Sequence, residues 1–230
     1  MIASNKLRDE ICAVIPCFNE GRSIRRIVSE VREHLATVLV IDDGSTDATV
    51  REAQAAGAIV LRQPRNLGKG AALKAGFARA AEQGFRAVLT LDGDGQHDTS
   101  EIPLFVDAFE KEGCDIVVGN RMTDVRPMPL LRRWSNRFSS WVLSRMAGQR
   151  IWDSQCGYRL VSLQLWNAVK LETRRYEMES EILIRASRHG ARLGQVRVRT
   201  IYFKASGSKI NPITDTLRFL RLLWRCRAGA

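Results

Sequence analysis

Residues 89–98, LTLDGDGQHD, end an apolar run with two aspartates two positions apart, a glycine between them, and then Gln96 and His97. Carboxylates at i and i+2 across a turn-forming glycine can converge on one hard cation. Asp92 and Asp94 supply two oxygens and the Gln96 side chain a third, leaving water or phosphate oxygens to complete the shell that Mg²⁺ or Mn²⁺ prefers. His97 is expected to position this loop rather than to bind the ion, because oxygen donors suit these metals better. A pair of this kind can also do no more than cap the following helix. Its place after a buried strand, with three other polar clusters in equivalent places, favours the cation.

The elements that must carry those clusters follow from periodicity. ICAVIP, TVLVIDD, AIVLRQ, RAVLTLD and DIVVGN read as strands, and they alternate with helix-length patterns such as SIRRIVSEVREHL, TDATVREAQAAG, KGAALKAGFARAAEQG and SEIPLFVDAFEKEG. Strands separated by helices predict an α/β domain with a mainly parallel sheet. Ligands of such sheets sit outside the carboxyl ends of the strands. PCFNE, DDGSTD, RNLGKG and DGDGQHD fall at those ends of the first four runs. Beyond Asn120, MPLLRRWSNRFSSWVLSRMAG and YEMESEILIRASRHG read as helices, RVRTIY as a strand and SGSK as a turn. NPITDTLRFLRLLWRCRA reads as a helix that sets Arg218, Arg221 and Arg225 opposite Leu217, Leu220, Leu223 and Trp224.

Two phosphate-loop chemistries fail on their own residues. The first strand is followed by PCFNEG instead of G-x-G-x-x-G, and RQPRNLGKGAA lacks the first glycine and the Ser/Thr of a Walker A loop. The five cysteines show no C-x-x-C and no histidine at zinc spacing, so buried free thiols are expected. The 230 residues are 45% hydrophobic, enough for a full core. A polar start and the lack of any run near the ~18 apolar residues of a membrane span lead to the expectation of a cytoplasmic protein, soluble or peripheral at the inner face of the membrane. The net charge of +11 is unevenly spread: residues 1–120 hold 14 Lys and Arg against 18 Asp and Glu, residues 121–230 hold 22 against 7. All five tryptophans lie in that basic second part. Base interleaved with Trp suits an anionic membrane surface or a nucleic acid. No RNA- or DNA-reading motif accompanies it, and no nucleic-acid partner is expected.

Six ordered motifs, AVIPCFNE, VIDDGSTD, NLGKGAALKAG, LDGDGQHD, GNRM and DSQCGYRL, resemble those of the glycosyltransferase family 2 catalytic domain, of GT-A fold, over roughly residues 10–215. The likeness is nearest to the dolichyl- or polyprenyl-phosphate mannose synthase branch. It implies an inverting, metal-dependent transfer of a sugar from a nucleoside diphosphate sugar to a polyprenyl phosphate at the membrane surface, with Mg²⁺ or Mn²⁺ as cofactor. It also implies one catalytic domain over residues 1–211, with a nucleotide-binding part at about 10–120 and an acceptor part at about 121–211, followed by a basic amphipathic helix at 212–230. By the same resemblance, Pro16, Asn19, Glu20, Asp43 and Lys69 match nucleotide-binding positions; Asp92, Asp94 and Arg121 match catalytic ones. Arg121, Arg132 and Lys209 match positions that hold the acceptor phosphate, with Asn136 where the branch carries a serine. Asp42 is expected to hold its turn and Ser45 or Thr46 to cap the next helix. Asp153 and the QCGYR turn are expected to shape the sugar site, where Gln155 and Cys156 depart from the small or hydroxyl residues common in the family.

Two other readings make different demands. A hydroxyl acceptor on a glycan or glycolipid requires a general base, for which Glu179 or Glu181 is the candidate. An acceptor phosphate is already an anion and requires only cations to hold it. A sensor that binds a sugar nucleotide without turning it over fits poorly with an intact D-x-D.

Overall fold

A computed structural model describes residues 8–126, 128–173, 175–201 and 212–228. The chain runs β1 (Ile11–Cys17), α1 (Ile24–Arg32), β2 (Thr37–Asp42), α2 (Thr49–Ala55), β3 (Ile59–Arg62), α3 (Lys69–Glu82), β4 (Ala87–Thr90), α4 (Ile102–Glu112) and β5 (Ile116–Asn120). It continues through α5 (Leu130–Ala147), β6 (Arg159–Ser162), α6 (Leu163–Ala168), α7 (Met178–Arg188), β7 (Leu193–Arg197) and α8 (Pro212–Ala228). All five strands expected in the first 120 residues form; β1, β2, β4 and β5 are apolar runs that a two-sided sheet buries, and β3 is a half-exposed edge strand.

The strands make one seven-stranded sheet in the order β3-β2-β1-β4-β6-β5-β7. Every pairing is parallel except those of β6, which runs antiparallel between β4 and β5. β6 is the departure from the sequence reading, which named the QCGYR turn and no strand after it. Its four residues are all buried, Arg159 included. That arginine disguises the strand: its guanidinium donates to the carbonyls of Cys156 (2.7 Å), Ser154 (2.7 Å) and Glu179, so a charge sits inside the sheet with its donors satisfied.

β7 is also displaced from RVRTIY; it lies at Leu193–Arg197, paired with Ile116–Asn120, while Thr200 makes a separate bridge to His97. The expected helix cap at Ser45 or Thr46 is not formed. α2 starts at Thr49, and the Asp47 carboxylate takes the Thr49 N–H. Pro16 sits inside a central strand at no cost to the ladder. By alternation its missing N–H faces the β4 side, and the β4 pairing ends at Val14.

The sheet is covered on both faces by helices, and the core is continuous from Ile11 to Cys226. All five cysteines are buried, and none is in a disulfide. α8 packs through Leu222 and Cys226, and the Arg188 guanidinium of α7 donates to the Cys226 carbonyl. Of the apolar residues set opposite the arginines, Leu223 packs against the core while Leu217, Leu220 and Trp224 stay exposed beside Arg221 and Arg225. Among the described residues no helix is long and apolar enough to cross a membrane.

Candidate active site

The carboxyl ends of β1, β2, β3 and β4 lie along one edge of the sheet, with the turn that enters β6 beside them, since Thr90 at the end of β4 is paired with Arg159 at the start of β6. Their loops are tied to each other. Asn19, in a left-handed backbone conformation (φ 56°) that asparagine tolerates better than most residues, donates its N–H to Ser45 Oγ at 2.9 Å and accepts the Thr46 N–H on Oδ1 at 2.9 Å. The Glu20 N–H goes to Thr49 Oγ1. Asp42, fully buried, accepts the Ser45 N–H and so holds its own turn. Asp43 takes the Leu67 and Gly68 N–H groups at 2.7 and 2.8 Å, fixing the loop that delivers Lys69 to the first position of α3. These bonds join the first three clusters, and Ser23 Oγ, donating to the Gly93 carbonyl at 2.6 Å, ties in the fourth.

At its centre is an ion triad. Lys69 Nζ lies 2.6 Å from Asp92 Oδ1 and 3.1 Å from Glu179 Oε1. Burial by itself would depress the lysine's pKa, yet the two carboxylates raise it; Lys69 is a fixed cation. Burial by itself would raise Asp92, but Lys69, and after it His97, hold it well below the carboxylate range. His97 Nε2 is 3.4 Å from Asp92 Oδ2, too long for a good hydrogen bond, and neither ring nitrogen has a hydrogen-bond partner although the side chain is only 4% exposed. Asp94, partly exposed, takes the Gln96 N–H on Oδ1 at 3.0 Å, and the Gln96 carbonyl accepts from Ile201.

Among the described residues no three His, Cys, Asp or Glu side chains cluster as a ready metal cage. Oxygen donors on a partly exposed turn fit Mg²⁺ or Mn²⁺, which keep several waters or phosphate oxygens and use one or two carboxylates.

A second cluster lies beyond the β6 turn. Asp153, with no exposed surface, receives Arg121 through Nε (2.7 Å), Nη2 (2.8 Å) and the backbone N–H, and Asn136 Nδ2 at 2.7 Å. Ser140 Oγ in turn donates to Asn136 Oδ1. Arg121 and Asn136, expected at the acceptor phosphate, are here turned inward to Asp153, and Asp153 anchors them where it was expected to shape the sugar site. Arg132 is partly buried in the first turn of α5; Lys209 lies outside the described residues. Glu181 is fully buried and committed to the Glu172 and Thr173 N–H groups, Thr173 Oγ1 and Arg185. The link between the clusters is Arg159, which spans the 153–157 turn and Glu179.

The sequence reading missed the Lys69–Glu179 pair and the part played by Gly157. A Cβ there would stand 2.7 Å from Lys69 Nζ, 2.9 Å from Asp92 Oδ2 and 3.1 Å from Glu179 Oε1. The triad rests on bare backbone. A glycine in the QCGYR motif was the available signal, since close approach is a common reason for one.

Comparison with known proteins agrees with this architecture. The protein is 34% identical over 229 residues to glycosyltransferase AglJ of Haloferax volcanii, covering 96% of this chain and 73% of the relative. It is 28% identical over 237 residues to the UDP-N-acetylglucosamine–dolichyl-phosphate N-acetylglucosaminyltransferase of Methanococcus voltae, covering 93% and 94% of the two chains. Its fold matches glucosyl-3-phosphoglycerate synthase of Mycobacterium tuberculosis, solved with Mn²⁺, UDP and phosphoglyceric acid, with a TM-score of 0.73 at 22% identity over 97% of this chain and 80% of that one. The fold is thus GT-A. The sequence profile described as glycosyl transferase family 2 matches residues 12–165, well over half of the chain, and the protein belongs to that family of enzymes.

Proposed function

We propose that this glycosyltransferase moves a sugar from a nucleoside diphosphate sugar to a polyprenyl phosphate at a membrane surface, with Mg²⁺ or Mn²⁺. The observation that carries the reading is the state of the two carboxylates a hydroxyl acceptor would need: Glu179 is paired with Lys69 and Glu181 is spent inside the fold. Neither is poised as a base. A phosphate monoester needs none: its oxygen attacks the anomeric carbon, the bond from that carbon to the diphosphate breaks, and the nucleoside diphosphate leaves with the electron pair. The Methanococcus voltae relative, named for a dolichyl-phosphate acceptor, supports the same acceptor class.

Donor binding falls to the surface built by Pro16, Asn19, Glu20, Asp43 and Lys69. Asp94 and Gln96, with Asp92 beside them, are the residues to hold a divalent ion, which when bound neutralises charge on the leaving diphosphate. The acceptor side falls to Arg132 and Lys209. Arg121 and Asn136 would contribute through the Asp153 network that backs it. The unbroken sheet across residue 120 supports one catalytic domain over residues 1–211, onto which α8 packs through Leu222 and Cys226.

The test is transfer itself. UDP-N-acetylglucosamine, UDP-glucose and GDP-mannose are each incubated with the protein and undecaprenyl or dolichyl phosphate, with Mn²⁺, Mg²⁺ or chelator, and the lipid is analysed by mass spectrometry. A metal-dependent phospho-sugar lipid is the expected product. Transfer to a free hydroxyl lipid, with the phosphate ignored, would overturn the reading.

A further inference from the structure

The turn that enters β6 is buried except at one residue. Asp153, Ser154, Cys156, Gly157 and Tyr158 are buried, while Gln155 is exposed. The backbone on either side of it is fixed. The Ser154 N–H donates to Ser140 Oγ at 2.9 Å, Arg159 holds the Ser154 and Cys156 carbonyls, and Thr90 Oγ1 donates to the Gly157 carbonyl at 2.8 Å. The Gln155 side chain is fixed as well: Nε2 donates to Ser139 Oγ at 3.1 Å and to Ser135 Oγ at 3.3 Å. The Ser139 hydroxyl places its own proton on the Asn136 carbonyl or on Ser154 Oγ, so toward Gln155 it accepts. That settles which way the carboxamide points. Nε2 faces α5, and among the described residues no partner is assigned to Oε1. A glutamine on an open surface keeps its rotamer freedom; this one has lost it and still presents an oriented acceptor.

Its place along the turn says what that acceptor would meet. Two residues later, Gly157 abuts Lys69, Asp92 and Glu179. Two residues earlier, Asp153 anchors Arg121 and Asn136. In the transfer proposed above, the sugar carbon under attack is bonded to the diphosphate on one side and approached by the acceptor phosphate on the other. The sugar therefore lies between the cluster of Lys69 and the cluster of Arg121, and Gln155 stands on the turn that joins them, within about 7 Å of chain from either end.

We propose that Gln155 reads the transferred sugar, its Oε1 accepting a hydrogen bond from a sugar hydroxyl or an acetamido N–H. The inference rests on the reading that the donor is a nucleoside diphosphate sugar, and adds the residue that selects the sugar. An acceptor held in place discriminates against a sugar without the matching donor, because it cannot turn to another partner.

The experiment separates the sugar from the nucleotide that carries it. UDP-N-acetylglucosamine, UDP-glucose and GDP-mannose are titrated by calorimetry into the full chain with Mg²⁺ and no acceptor. The one bound most tightly is compared with its nucleoside diphosphate and with analogues that each lack one hydroxyl or the acetamido group. Gln155→Ala is expected to weaken that sugar nucleotide by about tenfold, the loss of one hydrogen bond, and to leave the nucleoside diphosphate unchanged. One analogue should lose the same factor on the wild type and lose nothing further on Gln155→Ala, the non-additivity that marks a direct contact. Ser139→Ala, which frees the carboxamide without removing it, should fall between wild type and Gln155→Ala. Circular dichroism melts confirm that both variants are folded.

If Gln155→Ala binds the sugar nucleotide as tightly as wild type, or loses the nucleoside diphosphate by the same factor, or adds its loss to that of every analogue, Gln155 does not read the sugar and the donor site still stands. If the wild type binds none of the three sugar nucleotides, the functional reading falls and this inference with it.

Discussion

At the scale of single residues, the largest energetic consequence is expected at Asp153. Its carboxylate neutralises Arg121, whose side chain is 6% exposed, and the two are joined by hydrogen bonds of 2.7 and 2.8 Å. Asp153→Asn keeps the shape and leaves a buried guanidinium without its counter-ion, so it should cost roughly 3–5 kcal/mol, read as a fall in the urea midpoint. Burial would raise the Asp153 pKa, but the hydrogen bonds and charge of Arg121, aided by Asn136, hold it below the ordinary value of 3.8. The folded state therefore binds its proton later than the unfolded one. The stabilisation is complete above the unfolded pKa and is lost as pH falls through the lower, folded one. Asp92 and Glu181 are shifted in the same direction. Stability should fall on acidification from about pH 4 downward, and Asp153→Asn should flatten part of that slope; an unchanged slope would remove Asp153 from the account. None of this pairing was legible in the sequence. Arg121 and Asp153 are separated by 32 positions, and a family motif marks that such residues matter without saying that they bind each other. The opposite holds for Asp92 and Asp94, whose spacing and place after a strand mark them in the sequence as candidates at the carboxyl edge of the sheet.

At the scale of elements, what the sequence disclosed was set by how completely each element is apolar. The first five strands announce themselves. β6 does not, because it is short and opens on Arg159, whose donors are satisfied only by carbonyls that the fold brings to it. α3 shows the reverse case, a helix whose weak-looking residue is required. Gly76 costs the isolated helix about 1 kcal/mol relative to alanine. Yet a Cβ there would stand 2.4 Å from Val14 Cγ1 of β1 and 3.2 Å from Ile41 Cγ1 of β2. The helix carrying Lys69 can lie this close to the sheet only without that side chain. Overpacking against a β-branched neighbour of fixed rotamer costs about 1–3 kcal/mol and should outweigh the propensity gain. Gly76→Ala is thus expected to lower the melting temperature, and Val14→Ala added to it should recover part of the loss. If Gly76→Ala raises stability instead, helix propensity governs this position and the contact relaxes without strain.

At the scale of the whole molecule, charge and exposed apolar surface coincide in the second half of the chain. On α5, Leu130, Leu131, Trp134, Phe138 and Trp141 are 58–81% exposed, with the Arg145 guanidinium over the Trp141 ring and Arg137 exposed nearby. On α8, Leu217, Leu220 and Trp224 are similarly exposed beside Arg221 and Arg225. Aromatic and aliphatic side chains flanked by arginine suit the boundary between anionic headgroups and acyl chains, where each basic residue contributes about 1 kcal/mol and salt screens it. The basic second half and its tryptophans were legible from composition, but which of them face outward was not. α8 is rotated relative to its arginine spacing: it buries Leu222 and Cys226 and leaves Leu217, Leu220 and Trp224 outward. That rotation decides how membrane contact should be tested. Removing everything after Asn211 would strip a packed helix from α7 and expose core, so weaker liposome binding by the truncated chain would be ambiguous. Replacing Trp134, Phe138 and Trp141 together by serine touches only exposed positions and should leave the melting temperature nearly unchanged. The triple variant is expected to bind phosphatidylglycerol vesicles at least about tenfold more weakly than wild type in a sedimentation assay. Wild-type binding should itself decline between low salt and 0.5 M NaCl and be weak on neutral vesicles, as screening of headgroup charge requires. Equal vesicle binding by the two proteins would remove α5 as the docking face and leave the exposed side of α8 to carry it.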